Sequence, residues 1–151
     1  MRMFTADDRT SDAILTVVRR VLIVILTLAV TGILIELLLI EHFEDTWQLI
    51  PLVLLGLALP ALAWHVFAPS RSSARVWGIL MVLCIAAGLI GFYMHYAGNV
   101  EFELEQNPSA ARWMLFREAM MGATPALAPG AMIQIGLIGL LYRFVSRKTQ
   151  R

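Results

Sequence analysis

VLIVILTLAVTGILIELLLI, residues 21–40, decides the fold. Twenty consecutive residues hold a single ionisable side chain, Glu36. A helix of about 20 apolar residues matches the hydrocarbon thickness of a bilayer. Lipid offers nothing to pair with exposed backbone groups, and a helix is the open structure that pairs its own. Working outward, three further apolar runs follow: LIPLVLLGLALPALAWHVF at 49–67, VWGILMVLCIAAGLIGFYMHY at 76–96 and GATPALAPGAMIQIGLIGLLYR at 122–143. The expectation is an all-α fold, an integral membrane four-helix bundle forming one domain over residues 1–151.

Composition agrees. The chain is 59% hydrophobic and 15% charged, with a mean hydropathy of +0.74, which excludes a soluble domain lacking long buried runs. A membrane β-barrel needs repeated alternating segments of about 10 residues. Only VEFELE at 100–105 alternates. A net charge of +1 gives no pull toward nucleic acid.

Charge placement sets the expected topology. Ten of the twelve basic residues fall in the N-terminal tail, the 68–75 connection and the C-terminal tail; Arg112 and Arg117 are the exceptions. Basic residues favour the cytoplasmic side. Both termini are therefore expected in the cytoplasm, with an extracytoplasmic cap at 97–121 that carries Glu101, Glu103 and Glu105. A bacterial inner membrane is the expected home. Trp47, Tyr93, Tyr96 and Trp113 fall near the outer boundary, and Trp64, Trp77 and Tyr142 near the inner one, where interfacial aromatics are expected. The first run is too long for the apolar core of a signal peptide and no small-residue cleavage site follows, so it reads as an uncleaved anchor.

Local signals refine the picture. Ser11 is a possible cap for the first helix. VEFELE has period two and reads as a short extended segment, with a helical turn as the alternative because Glu101 and Glu105 are also four apart. Asn107-Pro108 reads as an N-cap with proline at the first helical position, opening an amphipathic interfacial helix before the last span. That helix is expected to break at GATP, near Gly122 and Pro125. PALA occurs at 60–63 and 125–128, which raises a duplicated hairpin beside plain coincidence. Ala87 and Gly91 form a small-x-x-x-small pair, a sign of close helix contact. Cys84 lies mid-span and reads as a packing residue.

Three functional readings arise. In the first, the chain is a non-catalytic accessory or scaffold subunit. Its acidic cap, through Glu101, Glu103, Glu105, Phe102 and Trp113, contacts a protein partner or another copy. In the second it is a small proton-coupled transporter that uses Glu36, because an ionisable residue inside a span is costly and marks function by default. Gln134 and Glu118 are the other polar candidates, and Gln134 is expected to bond to Thr27 or Thr31. In the third it is a membrane metal or redox protein with His42, His95 and Glu41 as ligands, although no metal-binding spacing is present. No motif implies a cofactor, and no nucleophile arrangement, phosphate loop or paired-cysteine motif appears.

Overall fold

A computed structural model describes residues 6–122 and 127–149. Five helices follow one another: α1 (Ala6–Leu39), α2 (Thr46–Phe67), α3 (Arg71–Gln106), α4 (Arg112–Met121) and α5 (Gly130–Thr149). The described residues contain no strand. α1, α2 and α3 are long and apolar enough to cross a membrane, and α5 carries a shorter apolar stretch, Gly130–Ser146.

The helix ends follow from side-chain chemistry. α1 starts before the expected Ser11, at Ala6. It ends in a C-terminal cap in which Glu41 N–H donates to Leu38 O and His42 N–H to Leu37 O. Glu41 takes the left-handed conformation that this cap requires, with φ 55°, a position usually held by glycine. α2 opens on a capping box: Asp45 Oδ1 accepts from Trp47 N–H at 2.7 Å, and Gln48 Oε1 accepts from Asp45 N–H at 3.3 Å. Ser70 and Ser73 cap α3 in the same reciprocal way.

Two expectations are corrected at the C-terminal end of α3. VEFELE is helical, because α3 runs on without a break through Gln106. Extending an existing helix needs no new nucleus, and the segment's Glu and Leu are good helix formers. Asn107 then terminates α3 instead of opening the next helix. Proline drives the residue before it out of the helical region, and Asn107 sits at φ −142°, ψ 87°. The helix expected to be interfacial, α4, begins later, at Arg112.

α5 lies antiparallel against α3. Gly78 faces Arg143, Gly136 faces Met81 and Ile85, and Gly88 faces Ile133 and the Pro129 carbonyl. Glycines on both helices bring the two backbones close. The Gly91 end of the small-residue pair thus packs within the chain, against Pro129. The apolar helix starts at Gly130 rather than 122; Pro125 and the rest of 123–126, like Arg2 and Arg151, lie outside the described residues. Of the second PALA only Leu127 and Ala128 are described, and Leu127 differs from its counterpart Leu62. Ala61 and Leu62 are buried inside α2, whereas Leu127 is exposed in the turn before α5.

The core runs along the helix axes through Leu26, Val30, Leu55, Met81, Cys84 and Ile135. Trp77 and Tyr142, expected as interfacial anchors, are fully buried in it instead. Trp77 Nε1 donates to Gly139 O at 2.8 Å, and its ring meets Tyr142 edge-on at 6.2 Å. Outside the core the pattern inverts: Val24, Leu28, Val53, Leu57, Val82 and Leu137 are all more than half exposed. An apolar exterior of that extent does not suit water and does suit lipid.

Candidate functional site

A cleft of about 700 Å³ opens between the C-terminal parts of α1 and α3, bounded by α2 and the start of α5. The cap of α1 builds one side of it. By folding the chain back at Glu41, it brings His42 into the cleft one turn and a half beyond Glu36. The α2 capping box fixes Asp45 and Gln48 on the adjoining wall. α3 supplies His95 and, deeper, Ile90 and Ala87. Ile33, Leu37 and Met132 complete an apolar floor.

The His42 and His95 ring centroids lie 6.3 Å apart, with the planes tilted by 57°. Burial holds the His42 imidazole below its ordinary pKa. The neighbouring His95 pushes it further down, while Asp45 acts in the opposite sense. His42 is therefore neutral at pH 7, with one ring nitrogen able to donate and the other to accept.

Glu36, His42 and His95, which served two different readings of the sequence, share this one site. Among the described residues no group of three or more His, Cys, Asp or Glu side chains is arranged to hold a metal ion. Gln134 does not line the cleft. It is exposed on the face of α5 that carries Leu137, Leu141 and Phe144. Thr27, its expected partner, donates to Ile23 O of its own helix at 2.8 Å. Glu118 also lies elsewhere, paired with Arg117 at 2.6 Å on α4.

The cap is a hairpin of the α3 extension and α4. Asn99 Nδ2 donates to Ala119 O at 2.8 Å, and both residues are buried. Tyr96 and Phe116 lean together with centroids 6.1 Å apart. The face left outside carries Glu101, Phe102 and Glu105 as exposed residues and Glu103 as half-buried. Trp113 is 74% exposed and stacks on Phe116 at 5.6 Å.

Neither Asn99 nor His65 stands among the candidates read from the sequence. At the opposite end, buried His65 Nδ1 lies 3.0 Å from Ser73 Oγ. Ser73 Oγ, which also bonds Ser70 O, makes a hydrogen bond with the His65 ring whose direction follows the imidazole tautomer. This bond ties α2 to the start of α3. The signal available beforehand was His65 one turn from the capping serines, across a loop too short to separate them.

Compared with protein families, curated proteins and solved structures, the chain matches none.

Proposed function

We propose that the chain crosses a bacterial inner membrane four times, through α1, α2, α3 and α5, with both termini in the cytoplasm. In this reading it is a non-catalytic accessory or scaffold subunit that uses its outer hairpin to hold a protein partner or a second copy. Support for the fourth crossing comes from α5, which runs beside α3 from Gly91 to Gly78 and so traverses the same slab of lipid. Support for the orientation comes from the basic residues at the other end of the helices.

The observation that carries the functional reading is the exposed aromatic and acidic face of the hairpin. α3 is about 54 Å long, against about 30 Å of hydrocarbon, so its last turns extend beyond the lipid. Phe102 and Trp113 are exposed there beside three glutamates. A large aromatic with a charged surround is a common anchor in protein interfaces. Carboxylates at that level also disfavour settling onto anionic headgroups.

The test is purification from native membranes of the wild type and of a variant combining Glu101→Ala, Glu103→Ala and Glu105→Ala. We expect the variant to retain its thermal stability and lose at least about tenfold of the co-purifying chain or of the homo-oligomer. Equal assembly in the two preparations contradicts the proposal.

A further inference from the structure

We infer that the cleft between α1, α2 and α3 binds a lipophilic monocation, with the Glu36 carboxylate opposite the positive charge. The inference stands apart from the docking role of the cap, because none of the hairpin's exposed glutamates lines the cleft.

Size and chemistry agree. A volume of about 700 Å³ lies within the range of small-molecule sites, roughly 300–1,000 Å³. The walls are apolar over most of their area, as a ligand body of hydrocarbon or aromatic rings requires. The charged side chains that line it are both acidic, Glu36 and Asp45, and neither Lys nor Arg is among the lining residues. An anionic head would meet two carboxylates with no compensating cation. A cationic head meets attraction from both, and Trp47 in the lining offers an aromatic ring to a cation.

The two carboxylates are not equivalent. Asp45 Oδ1 is engaged by the Trp47 amide at the α2 N-terminus. Among the described residues the Glu36 carboxylate makes neither a hydrogen bond nor an ion pair. Arg117 is paired with Glu118. Glu36 is exposed about one helical turn before the C-terminal end of α1, and in the proposed membrane placement an unpaired charge there is costly. A bound cation offsets that cost; a neutral or anionic molecule does not.

The geometry also supplies a variant that closes the site without disturbing the fold. Gly98 lines the cleft on α3, and a Cβ there meets nothing within 4 Å. Gly98→Leu fills the mouth and raises helix propensity at the same time.

The experiment is equilibrium binding to the full chain in neutral detergent, using tetraphenylphosphonium and tetraphenylborate, two ions of the same shape and opposite charge. The expected result is saturable 1:1 binding of tetraphenylphosphonium, with tetraphenylborate at least tenfold weaker. Glu36→Gln weakens the cation at least tenfold without strengthening its fold dependence on charge. Gly98→Leu abolishes binding while the helical signal and melting temperature hold. Equal affinity for the two ions, wild-type binding by Glu36→Gln, or no saturable binding of tetraphenylphosphonium to the folded chain overturns the inference. Unaltered binding by a folded Gly98→Leu protein overturns the location.

Discussion

Gly136→Val is expected to melt well below the wild type. A Cβ at position 136 would stand 2.6 Å from the Met81 backbone carbonyl and 2.5 Å from Ile85 Cγ1. A side chain can turn away, but the Met81 carbonyl belongs to the α3 backbone, so the helices must separate. Their contact is the most extensive between any two helices of the fold. In lipid there is no hydrophobic drive to replace it, since association there depends on close van der Waals packing. Overpacking a core costs typically 1–3 kcal/mol, and a branched side chain pressed on a backbone falls at or above the top of that range. Each 1 kcal/mol lowers the melting temperature by roughly 2–4 °C in a chain of this size. A fall of about 6–12 °C or more in detergent is therefore expected. Gly56→Val is the control, because a Cβ at Gly56 meets nothing within 4 Å. If the two variants melt together, the α3–α5 packing described above is wrong.

Trp77→Ala is the second large effect. Trp77 is wholly buried, donates to Gly139 O and packs edge-on against Tyr142. Truncation removes an indole from a close-packed site and unties α3 from α5. Large aromatic-to-alanine changes in cores cost about 3–5 kcal/mol. Trp77→Phe keeps most of the volume and loses mainly the hydrogen bond, about 1–2 kcal/mol in a membrane setting. Unfolding titrations of the helical signal should order wild type, Phe and Ala with Ala clearly last. Equal stability of the Phe and Ala variants would show that Trp77 faces lipid, as its position in the sequence first implied.

That reversal shows where sequence reading works and where it stops. The long apolar runs carried α1, α2 and α3 because bilayer-length hydrophobicity is a property of the segment alone. Trp77 and Tyr142 could not be assigned that way. An aromatic near a helix end serves equally as anchor or core, and the choice depends on how α5 is rotated against α3. Gln134 failed for the same reason: in a helix apolar all round, no stripe marks the inward face. VEFELE satisfied period two and helical spacing together, and the deciding factor was continuity with α3. The cleft was half legible. Glu36, His42 and His95 each stood out by chemistry, but their meeting depends on the left-handed turn at Glu41, a residue whose identity does not announce that conformation.

The most direct test of the whole account is the sidedness of the two ends of α3. In a Cys84→Ala background, single cysteines are placed by Ser72→Cys and Glu105→Cys, both at exposed positions. Intact cells are then treated with a membrane-impermeant maleimide. The account predicts that Glu105→Cys is labelled from outside and that Ser72→Cys is labelled only after the membrane is opened. Labelling of Ser72→Cys in intact cells, with Glu105→Cys protected, would contradict it.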